Sequence, residues 1–152
     1  MLELLQSLLV SDIIRRSTWL FPAIQIVHLA GIALVFGTIT LVDLTLLGMI
    51  RSPALETAAS PILTATQCGI AIVVISGALL FVSDPLEFWS NLAFRLKLLA
   101  FSLAIANALV FQRYLGKPTK AASLNVFGKL SLWMSLMLWT SILILGRAVA
   151  YV

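Results

Sequence analysis

The chain has 152 residues, 61% of them hydrophobic and 11% charged, with a mean hydropathy of +1.10 and a formal net charge of +4. Soluble domains average about a quarter charged residues, so this composition excludes a water-soluble globule and predicts an integral membrane protein. The basic balance does not point to nucleic acid, because Lys and Arg are scattered around the ends of apolar runs instead of gathering on one polar face; the lipid bilayer and its anionic headgroups are the expected partner.

Residues 1–16 place Leu4, Leu5, Leu8, Leu9, Ile13 and Ile14 near helical spacing, with Glu3, Gln6, Asp12, Arg15 and Arg16 largely elsewhere on the wheel. That pattern predicts an interfacial amphipathic helix. It has neither the basic head nor the small-residue cleavage site of a secretory signal, so the first span is expected to be retained. Ser17 or Thr18 can cap that span, and Pro22 falls in or near its first turn, where a missing N–H is tolerated.

Stretches free of Asp, Glu, Lys and Arg cover Ser17–Val42, Thr57–Ser83, Leu98–Gln112 and Leu130–Gly146, each near or above the length that crosses hydrocarbon. Four spans are predicted, at about 18–50, 58–83, 92–114 and 127–150. The third needs Arg95 and Lys97 to snorkel to the interface. Arg51-Ser-Pro53, Asp84-Pro85 and Gly116-Lys-Pro118 mark the connections. Because those links are short, neighbouring spans should be antiparallel, in one all-α four-helix bundle. Both termini then share a side, and the basic residues of the 113–129 loop favour that loop inside a bacterial cell and the termini in the periplasm.

Counting about 1.5 Å of rise per residue from the terminal side, His28, Ser76, Asn107 and Thr140 fall at similar depths, one from each span, with Gln25 a turn shallower than His28. If these faces converge, the bundle carries a polar layer near mid-membrane. Two readings stay open. Such groups serve as interhelical glue worth about 0.6–2 kcal/mol each, or His28, the only histidine, is an intramembrane ionisable group that marks a cofactor, ion or proton site. Asp43 lies far along the first helix and is expected to meet Arg113 or Lys129, whereas Arg147 is expected to meet Asp84, Glu87 or a lipid phosphate. Ala100, Ala104 and Ala108, with the pairs Ala65–Gly69 and Ala33–Gly37, form small-residue seams within the bundle or between copies. Trp19, Trp89, Tyr114 and Tyr151 sit near span ends as an aromatic belt.

One histidine excludes bis-His haem b ligation within a monomer, leaving a His/Met pair with Met134 or Met137, or two His28 rings across a dimer. Copper(I) favours the donor types of His28, Met134, Met137 and Cys68, though methionine is also a common core filler. The lone Cys68 forms no intrachain disulfide. No nucleophile elbow, phosphate-cradling glycine loop or zinc pattern supports hydrolytic catalysis.

The segments STWLFPAIQIVHLAGIALVFGTITLVDLTLLG, ISGALLF, NLAFRLKLLAFSLAIANALVF and SLWMSLMLWTSILILGRAVAY resemble a bacterial family of small four-span membrane proteins of unknown function, similar in general look to the membrane domain of copper resistance D proteins. The resemblance covers nearly the whole chain. Such relatives often carry Glu where Gln25 stands and Arg where Thr45 stands, so this chain departs from E-x-x-H and D-L-R-L-L-G. What the resemblance implies is attention to His28, Asp43, Lys97, Asn107 and Arg147; it supplies no reaction. The sequence therefore predicts a noncatalytic, homo-oligomeric or complex-forming inner-membrane protein. Its polar site is centred on His28 with Gln25, Ser76, Asn107, Thr140 and Arg147, and holds a metal or a redox cofactor such as haem. A small copper or proton-coupled transporter and a ligand-free scaffold are the competing readings.

Overall fold

The computed structural model describes residues 13–14, 17–50, 58–115, 124–149 and 151. Of the expected interfacial helix 1–16, all but helical Ile13 and Ile14 lies outside the described residues. The described part is all-α. Helix α1 is Leu20–Leu46, α2 Ala59–Ser83, α3 Pro85–Ser90, α4 Leu92–Leu115 and α5 Val126–Ala148. All but the short α3 are long and apolar enough to cross a membrane, with 6–22% of each most apolar window buried within the protein. Side chains this apolar and this exposed have lipid as their solvent.

The helix ends are set by local chemistry. Ser17 Oγ accepts from Leu20 N at 3.1 Å in the turn before α1, whose N-cap position is Trp19. Asp84 and Asn91 open α3 and α4 in the same way, accepting from Glu87 N at 3.3 Å and Phe94 N at 3.1 Å, and Asn125 accepts from Gly128 N at 2.9 Å at the start of α5. Each side-chain oxygen satisfies a backbone N–H that the helix leaves unpaired. The first helix stops at Leu46, short of the expected end near residue 50, because of Gly48. Its φ of 77° is a left-handed conformation that costs glycine nothing. Gly48 N then bonds Thr45 O at 3.0 Å and Met49 N bonds Leu44 O at 3.0 Å, the pair of bonds of a Schellman motif.

Two antiparallel hairpins result, α1 with α2 and α4 with α5, joined through α1 against α5. In the first hairpin the backbones approach closely. A Cβ on Gly31 would lie 2.8 Å from Ile72 Cγ2, and one on Gly69 would lie 2.7 Å from Val35 Cγ2. Gly37 meets nothing within 4 Å and faces outward. The seam therefore runs through Gly31 and Gly69, not through Ala33 and Gly37. Val35, Ala100, Ala104, Trp139 and Ile142 form the buried apolar centre, with Phe101 edge-on to Trp139 at 6.0 Å. At the terminal end Phe81 stacks on Phe94 at 5.6 Å, and Asn91 Nδ2 donates to Val149 O at 3.2 Å.

Candidate functional site

Hydrogen-bonding groups within a membrane bundle are costly without partners in the protein, and those that pair here do so in separate places. His28 is buried (8% exposed), and its Nδ1 lies 2.9 Å from Ser76 Oγ across the α1–α2 seam. Gly77 makes room for the ring: a Cβ there would sit 3.1 Å from His28 Cε1. Ser76 donates its one proton to Ile72 O at 2.5 Å, one turn back on its own helix. An oxygen so engaged can accept from the ring, and in the tautomer protonated at Nδ1 the Nε2 atom keeps a lone pair. The Val73 carbonyl is a further acceptor within reach of the ring.

The ring's charged neighbour is Lys97. It belongs to α4 and runs against α5, where a Cβ on Gly146 would lie 3.5 Å from Lys97 Nζ. Sequence reasoning sends this ammonium to the interface; the structure turns it inward, partly buried. Among the described residues no carboxylate pairs with it. His28 and a Lys97 side chain with no carboxylate partner among the described residues thus share one end of the bundle. Ser76 also lines an apolar groove of about 360 Å³ between α1 and α2, together with Ala23, Ile24, Val27, Ile72, Ile75 and Leu79.

Of the other residues expected at this site, Ser76 joins His28 and the rest do not. Asn107 is buried but clamps α4 to α5, its Nδ2 donating to Ser131 O at 3.0 Å and its Oδ1 accepting from Ser131 Oγ at 2.8 Å. It sits eight residues from the end of α4, and His28 eight from the start of α1. Each is therefore about 12 Å in from opposite ends of the bundle. Thr140 is exposed and bonds its own helix at Leu136 O, 2.7 Å away. Gln25 faces outward. Arg147 is exposed, donates to Tyr151 Oη at 2.5 Å and stacks over that ring at 4.9 Å, where Asp84, Glu87 or phosphate was expected. Met134 and Met137 are 48% and 71% exposed on α5.

Asp43 also departs from expectation. Arg113 and Lys129 are exposed, and its buried carboxylate reaches the hydroxyl of Ser135 instead. Ser131, Ser135 and Lys97 are the polar residues that sequence reasoning passed over as partners. Their signal was available: Ser131 and Ser135 stand four apart on α5, the spacing of one helix face.

Met134 and Met137 lie on an exposed face, and among the described residues no three His, Cys, Asp or Glu gather in a metal-holding group. A cation beside Lys97 would also meet like charge. Comparison with protein-family models, with characterised proteins and with solved structures returns no match.

Proposed function

We propose that this protein is a noncatalytic multi-pass membrane protein that binds, at His28 and Lys97, the anionic oxygen head of an amphiphile whose apolar body lies against the bundle. The observation that carries the reading is the partly buried Lys97 amine, which acts electrostatically on His28 and, among the described residues, has no carboxylate partner. A charge removed from water is costly unless it is paired, and a carboxylate or phosphate oxygen accepting from Lys97 supplies the pair. His28 Nε2 then accepts from a hydroxyl or acid proton of the same head, and the groove beside Ser76 offers apolar walls. Residence in a bacterial inner membrane with periplasmic termini belongs to the same proposal, supported by Arg113, Lys117, Lys120 and Lys129 in or flanking the opposite loop. So does assembly with a second copy or a larger complex, supported by the outward-facing pair Ala33 and Gly37.

Mass spectrometry of protein purified in detergent tests the reading. Wild type is expected to retain an acidic lipid or fatty acid that Lys97→Met loses. A stoichiometric Soret band, or bound copper removed by His28→Ala, would replace this reading with the redox-cofactor or metal one.

A further inference from the structure

At the other end of α1, Asp43 lies fifteen residues beyond His28, about 22 Å along the helix. It is 6% exposed, and its Oδ2 is buried with no hydrogen-bond partner. Thr40 Oγ1, one turn back, is also buried and unpartnered. That is unusual in this chain. Thr38, Thr66, Ser76 and Ser83 each donate to a carbonyl of their own helix, as hydroxyls in apolar helices do. Among the described residues, the polar group that reaches Asp43 is the Ser135 hydroxyl of α5.

We propose that Asp43, Thr40 and Ser135 form an intramembrane site for a small monovalent cation of the sodium type. Three oxygens from two helices are the ligands a hard cation takes. A single carboxylate matches a single positive charge, so the occupied site is neutral in a medium that penalises net charge. A divalent ion would leave an excess charge, and transition metals favour grouped nitrogen and sulfur donors, whereas among the described residues no three His, Cys, Asp or Glu gather. Asp43 also stands in the last turn of α1, where the helix dipole is negative and favours a cation. The site is separate from His28 and Lys97 and stands or falls without them.

The test compares thermal unfolding of the full-length protein in nanodiscs in sodium chloride and in choline chloride at equal ionic strength. Sodium bound only to the folded state raises the midpoint in a saturable way. The shift is expected in wild type, absent in Asp43→Asn, and displaced to about tenfold higher sodium in Thr40→Ala. Equal midpoints in the two salts, or a sodium shift that survives Asp43→Asn, would overturn the proposal. So would a protonated-carboxyl infrared band in wild type that disappears in Asp43→Asn and does not respond to sodium, since it would identify a neutral acid. If Asp43→Asn does not fold, sodium NMR line broadening on Thr40→Ala and Ser135→Ala decides: weakened binding in either supports the site, and wild-type binding in both contradicts it.

Discussion

His28 Nδ1 and Ser76 Oγ stand 2.9 Å apart across the seam between α1 and α2, with the serine proton already directed to Ile72. Ser76→Ala removes the acceptor and leaves a buried ring N–H with poorer partners. The expected loss is about 1–2 kcal/mol of unfolding free energy. A double-mutant cycle with His28→Ala, measured by chemical unfolding in mixed micelles, should return a coupling of about 0.6–1.7 kcal/mol. Additive single mutants would mean the contact does not hold the seam.

Glycine substitutions separate the seam from the lipid face. Gly69→Ala places a Cβ 2.7 Å from Val35 Cγ2 and Gly31→Ala one 2.8 Å from Ile72 Cγ2. Overpacking of this kind costs about 1–3 kcal/mol. Gly37→Ala meets nothing within 4 Å and should leave the folded monomer as stable as wild type or slightly more so, since alanine is the better helix former. Melting temperatures of the three variants in one detergent check the ordering.

Asn107 and Thr140 look alike in sequence and should behave differently. Asn107→Ala orphans Ser131 in the α4–α5 clamp and is expected to destabilise by about 1 kcal/mol or more. Thr140→Val removes a hydroxyl that bonds only its own helix on an exposed face and should change stability by less than about 0.5 kcal/mol. Matched denaturant titrations distinguish the two.

Met134 and Met137 provide a control on copper. Both are largely exposed on α5, so the double change to Leu conserves volume and apolarity and should alter neither stability nor any copper content. Copper bound by wild type and lost from this variant, measured by elemental analysis, would place these sulfurs in a site.

The spans were legible because hydrocarbon solvation demands long apolar stretches, and the break at Asp84-Pro85 because its chemistry is local. The end of α1 was legible in principle, since Gly48 precedes Arg51 and a glycine closes many helices. Depth and azimuth were not. Counting from Lys97 and Arg147 assumed that charges mark the interface, whereas Lys97 turns inward beside Gly146, which moves Asn107 into the opposite half. Azimuth failed for Gln25 and Thr140 because these helices are apolar all round, so hydropathy does not say which side faces protein. His28 itself was found correctly as buried, its signal being a lone imidazole three residues before a seam glycine, Gly31.

The pairing of Lys97 with an external anion is tested most directly by equilibrium binding of spin-labelled stearate to protein in nanodiscs of neutral lipid. Wild type is expected to immobilise the label saturably. Lys97→Met should weaken binding at least about tenfold, or about 1.4 kcal/mol, while the unliganded fold becomes more stable because an unpaired buried charge has gone. Equal binding by Lys97→Met and wild type, or no saturable binding by either, would contradict the account.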